Sequence, residues 1–249
     1  KTFLGHTGRF NGEDIIDIIC QQPSTARFIS RHLYSFFVAD EPPVSQWAHI
    51  PPQNLEAIQI LSQAYFDNNY DIRAMLRVLL NSDFFRSEEC WHAKVKSPAE
   101  LVAGVLRLSG GIDEPFYEFK EQSQRMAFMG QQVGNPPSVE GWHTGREWID
   151  SGTLVERINF VSDQVGNTQL PGVKDIVDRL AAQGSMSPQQ FVEGCLDLMG
   201  CVEVNEKTHN QLVSHASKSG ELSGGAEQFA FQVGEMLQLI ASTGEYQFG

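Results

Sequence analysis

Ile72, Met75, Leu76, Leu79 and Leu80 fall at i, i+3, i+4, i+7 and i+8. That spacing gathers all five side chains onto one stripe of a 3.6-residue helix, and no stretch of the chain shows the alternation of a half-buried strand. Asp71 stands immediately before the stripe as a cap, so the pattern predicts a helix over 71–82. Ile29, Leu33, Phe36 and Phe37 repeat the stripe after Pro23, whose missing N–H costs nothing in a first turn. Ser97-Pro98-Ala99-Glu100 and Ser187-Pro188-Gln189-Gln190 are capping boxes: the serine caps, the proline opens the helix, and Glu or Gln reaches back to the cap's N–H. Helices therefore start near 98 and 188, and others are read at 12–21, 52–68, 118–130, 145–164, 173–183, 205–217 and 225–241. The expected fold is all-α, a multi-helix orthogonal bundle of about ten helices with Pro/Gly-rich loops and no significant sheet.

At 249 residues the chain is long enough to build one large core or two small ones. The breaks between helices are DEPP at 40–43, SGGIDEP at 109–115, GNPPSVEGWHTG at 134–145, GNTQLPG at 166–172 and SGELSGG at 219–225. Composition shifts near Gly166. All four tryptophans and ten of the eleven arginines precede it, whereas four basic residues face ten acidic ones beyond it. This contrast suggests a helical subdomain over 1–166 and a smaller C-terminal helical subdomain over 167–249 packed on the first and sharing its core.

A net charge of −13 repels phosphate backbones, so nucleic acid is not an expected partner. No run of eighteen apolar residues exists to span a membrane. The chain opens on KTFLGHTGRF, which reads as the middle of a longer protein, so localisation is not legible from these residues. Cys20, Cys90, Cys195 and Cys201 show neither C-x-x-C nor zinc-finger spacing and read first as small buried hydrophobes. Cys195 and Cys201 would bridge only if a helix ended near Gly200.

The segments GRFNGEDIIDIICQQPSTARFISRHLYSFFV at 8–38, YDIRAMLRVLLNSDFF at 70–85, KVKSPAELVAGVLRLSG at 94–110 and MGQQVGNPPSVEGWHTGREWIDSGTLVERINF at 129–160 resemble, in order and spacing, the bacterial domain-of-unknown-function family 1800. The resemblance covers most of residues 1–160 and is weak beyond Gly166, although the closing IASTGEYQFG looks like the family's usual end. It implies a mostly helical, exported bacterial protein, usually longer at its N-terminus, of which this chain is the C-terminal half to two-thirds. It also implies an extracytoplasmic location, periplasmic or secreted, and a neighbouring gene for a sulfatase-like or alkaline-phosphatase-like protein as partner. No activity comes with it.

Three constellations could carry chemistry. Glu13 and Asp14 open one helix and Arg27 and Arg31 lie one turn apart on the next; they read as an inter-helix salt-bridge cluster or as an anion-binding face. Lys96, Glu100 and Arg107 form a second set around Gly104, a glycine best explained by close helix packing, with Glu100 already engaged as a capping residue. The third is the loop carrying Glu140, Trp142 and His143, followed by Arg146 and Trp148. Two prolines stiffen it, and rings beside fixed polar groups suit a glycan or anion; the alternative is that the tryptophans anchor the loop to the core.

The seven histidines include no H-x-x-x-H or H-E-x-x-H, and no nucleophile elbow, P-loop or G-x-G-x-x-G occurs, so neither a metal nor a cofactor is expected. The leading expectation is an accessory helical protein holding a partner or an anionic or glycan ligand through an Arg, Glu and Trp cluster. The alternative is an enzyme acting on an extracellular polymer, with Glu140 or His143 as acid or base and Arg146 or Arg27 binding an anionic group.

Overall fold

The computed structural model describes residues 1–110, 118–142, 144–200, 202–226 and 228–249. The fold is all-α, with twelve α-helices and a two-stranded ribbon among the described residues. The chain divides into two compact units, Lys1–Lys94 and Val95–Gly249.

The first unit opens with a hairpin, Thr2–Phe3 (β1) against His6–Thr7 (β2). Leu4 and Gly5 both take positive φ, the turn that a twisted ribbon requires, and the ribbon is too short to register as alternation in the sequence. Five helices follow: α1 Gly12–Cys20, α2 Pro23–Phe37, α3 Leu55–Asp67, α4 Ile72–Asn81 and α5 Asp83–Arg86. α4 begins where the pattern places it, with the Asp71 carboxylate accepting from the Arg73 N–H at 2.8 Å. α3 starts three residues later than read, because the Asn54 side chain accepts from the Ala57 N–H and so fixes the cap. α2 packs along α3, and Ala26, Tyr34, Ile58, Leu61, Met75 and Leu79 fill the core of this unit. Burying a leucine such as Leu61 contributes about 1.5–3 kcal/mol.

The second unit holds α6 Pro98–Ser109, α7 Glu118–Phe128, α8 Ser151–Val165, α9 Pro171–Ala181, α10 Pro188–Leu198, α11 Glu206–Ala216 and α12 Phe229–Ala241. Both serine capping boxes form as read. The single helix expected over 145–164 is instead two pieces, a 3-10 turn Gly145–Trp148 and then α8. Asp150 breaks it: its backbone is extended and its carboxylate accepts from the N–H groups of Gly152 and Thr153.

Gly166 lies inside this unit. Val161 and Val165 before it share one core with Val173 and Ile176 after it and with Val233, Leu237 and Ile240 of α12. The charge contrast at Gly166 is a property of the surface, whereas the unit is set by which apolar faces meet. Gly104 is exposed, with nothing within 4 Å of where a Cβ would stand, so close packing does not explain it. Packing does require Gly172, where a Cβ would run into the Leu108 carbonyl oxygen at the end of α6. Cys195 is a free, buried thiol on α10. The helix does end there, with Gly200 at φ +109°, but Cys201 lies outside the described residues.

Candidate functional site

The residues singled out in the sequence fall in both units, and each set is described on its own. In the first unit, the carboxylates at the start of α1 do not meet the arginines of α2. Asp14 is used by its own helix, accepting from the Asn11 N–H at 2.8 Å while Asn11 accepts from Asp14. Arg31 takes a different acid, Glu41, from the loop that follows α2. Its Nε and Nη2 donate to Glu41 Oε2 at 2.8 and 2.6 Å, its Nη1 donates to the Ile50 carbonyl at 2.9 Å, and Nη2 also reaches the Pro51 carbonyl at 3.2 Å. Glu41 Oε1 accepts from the Gln53 N–H at 2.9 Å. Both ions are buried, and each has partners for its polar atoms, which is the condition under which a buried pair holds rather than weakens a fold.

This clamp ties residues 41–53 to α2 and so positions Trp47. The Arg31 guanidinium carbon lies 4.7 Å from the Trp47 ring centre, and the indole N–H donates to the Pro42 carbonyl at 2.7 Å. His32 and Phe28, one turn apart on α2, complete a three-ring cluster: His32 is 4.6 Å from Trp47, Phe28 is 4.5 Å from His32 and 5.7 Å from Trp47. Partial desolvation beside Phe28 and Trp47 holds the His32 imidazole below its ordinary value. Phe28 is 48% exposed and Trp47 half-buried, so rings fixed from below remain open above. Arg27, one turn before Arg31, is exposed and has no ion pair among the described residues.

In the second unit, Trp148 is buried and lies beside Gly130, anchoring the loop that leads to α8. Trp142 is half-buried, and its indole N–H is enclosed with no partner among the described residues. Glu140 and Arg146 are exposed. His143 lies outside the described residues.

The set around Lys96 does not converge on one site either, with Lys96 half-buried and Glu100 and Arg107 exposed. Lys96 Nζ donates to the Tyr246 carbonyl at 2.9 Å and sits 4.6 Å from that ring's centre. Glu100 closes the cap of α6 with the Ser97 N–H, and Arg107 is exposed on the same helix. A side chain that the sequence left unmarked, Arg157 of α8, is fully buried beside Lys96. It donates to Gln247 Oε1 at 2.8 Å and to the Lys96 carbonyl at 2.6 Å, with burial pushing its guanidinium down to about 10.

Glu41, Phe28, His32 and Trp47 were not flagged by sequence reasoning. The Arg31–Glu41 pairing spans ten residues and crosses the end of α2, so no helical spacing announces it. The one available signal was the tryptophan in a polar loop after DEPP. Among the described residues no group of three or more His, Cys, Asp or Glu is placed to hold a metal ion, and no helix is long and apolar enough to cross a membrane.

With this geometry in place, the chain can be compared with known proteins. The model of the family described as protein of unknown function (DUF1800) matches residues 1–248. The chain belongs to the DUF1800 family. The match runs through the region after Gly166, where the quoted segments showed little likeness. No curated protein and no solved structure matches. In this DUF1800 chain the clustered rings are Phe28 and His32 of α2 and Trp47 of the loop after it.

Proposed function

We propose that this protein is a non-catalytic accessory protein that holds a saccharide on the ring cluster of Phe28, His32 and Trp47. One observation carries the reading: Trp47 is held by the Arg31 guanidinium, by its bond to the Pro42 carbonyl and by His32, yet remains half open to solvent beside a largely exposed Phe28. Flat rings stack on the apolar faces of sugars, and rings fixed in advance bind without losing side-chain freedom. The buried Arg31–Glu41 pair supplies that rigidity and is consumed in doing so, which argues for a holding surface rather than for acid–base chemistry at this place.

The extracytoplasmic location and the neighbouring sulfatase-like or alkaline-phosphatase-like partner implied by the family resemblance fit such a role. Titration with a panel of oligosaccharides, followed by tryptophan emission and by thermal shift, tests the reading. Binding is expected for the wild type and lost in Trp47→Ala. Binding that survives Trp47→Ala in a folded variant, or no binding across the panel, overturns it.

A further inference from the structure

The ring cluster is one end of a longer strip. Phe28, His32 and Phe36 follow one another at i, i+4 and i+8 on α2, and Phe36 is 71% exposed. Eight residues of helix advance about 12 Å, more than one sugar ring spans. One end of the strip carries a cation against its ring, and an exposed cation adjoins the other end in sequence. Arg27 adjoins Phe28 in sequence, and Lys94 Nζ lies 5.7 Å from the Phe36 ring, held by the Ser35 and Phe36 carbonyls at 2.8 Å each. α2 contains two arginines and no carboxylate, in a chain of net charge −13. Glu41 neutralises Arg31, which leaves Arg27 as the exposed charge of the helix.

We infer that the ligand is a linear acidic oligosaccharide, a chain of uronic acids lying along α2, with its rings over Phe28, Trp47 and Phe36 and its carboxylates toward Arg27 and Lys94. This rests on the saccharide-holding reading above and adds the length and charge of the ligand to it. A uronate carries its carboxylate directly on a ring carbon, so a chain stacked along the rings brings its charges to the stretch of helix that carries the exposed Arg27. The guanidinium fork meets both carboxylate oxygens. A single sugar acid would use one end of the strip only.

Calorimetric titration of the full chain with tetragalacturonate, its methyl ester, monomeric galacturonate and a sulfated tetrasaccharide separates the possibilities. The tetramer is expected to bind at least about tenfold more tightly than its neutral methyl ester and than the monomer, the scale of one charge-assisted contact. Arg27→Gln, on an exposed position that leaves the core untouched, should remove most of the difference between the acid and the ester. Lys94→Gln, checked for an unchanged unfolding midpoint, should do the same in part. Equal binding of acid and ester by the wild type overturns the acidic ligand and leaves the saccharide reading standing. Preference for the sulfated chain, or no binding by any of the four, overturns the uronate assignment, and the saccharide reading then falls only if the wider oligosaccharide panel also fails to bind.

Discussion

Arg31 and Glu41 are joined by two hydrogen bonds to a single carboxylate oxygen, 2.8 Å from Nε and 2.6 Å from Nη2, with side chains 6% and 0% exposed. Breaking such a pair from one side leaves an uncompensated buried charge, which costs about 3–5 kcal/mol. Glu41→Ala should therefore lower the denaturation midpoint of the protein markedly and shift tryptophan emission to the red as the 41–53 loop is released. Replacing both ions with apolar residues of similar volume, Arg31→Met with Glu41→Leu, should restore most of the stability. An unchanged midpoint in Glu41→Ala would show that the pair does not hold the loop.

Gly104 and Gly172 make opposite predictions. Gly104 sits in the interior of α6 with open space where a Cβ would be, so Gly104→Ala should stabilise by about 0.5–1 kcal/mol through the entropy of the unfolded chain. Gly172 is pressed against the Leu108 carbonyl, and Gly172→Ala should cost about 1–3 kcal/mol by forcing α6 and α9 apart. Chemical denaturation of the two variants, side by side, checks both signs.

Asp150 gives a pH signature. The N–H groups of Thr153 and Gly152 hold its carboxyl below the usual range. A folded value below the unfolded one means that the cap stabilises α8 above about pH 4, and that this contribution disappears as pH falls through the folded value. Asp150→Ala should melt below the wild type at pH 7, and the gap should close on acidification below about pH 4. A gap that stays constant down to pH 2 would show that the carboxylate charge is not what caps the helix.

The thiols should sort by burial. Cys195 is fully enclosed in α10 and burial pushes its thiol up to about 12, whereas Cys20 and Cys90 are half-buried. Since the thiolate is the reactive form, alkylation of the native protein at pH 8 should label Cys20 and Cys90 and spare Cys195 until denaturant is added. Peptide mapping by mass spectrometry reads each site, and early labelling of Cys195 would contradict its burial.

What was written into the sequence is local. The stripe at Ile72, Met75 and Leu79, the Ser97 and Ser187 boxes and the Pro23 start each depend on residues within one or two turns, and all of them appear in the helices. Asp150 was equally local: its cap is completed by Thr153 three residues on, within a stretch that reads as one unbroken helix. The candidate site needed the tertiary structure. Arg31 was visible as a cation on a helix face, but its acid, its carbonyl partners and the tryptophan it steadies come from a loop ten to twenty residues later, where no period links them. The same holds for the two units: charge composition marked a change at Gly166, while the division follows from apolar faces that meet across long stretches of chain, α8 with α12 among them. Hydrogen bonds within a turn are specified by neighbouring residues. Burial and ion pairing between distant segments are decided only when the chain closes on itself and excludes water.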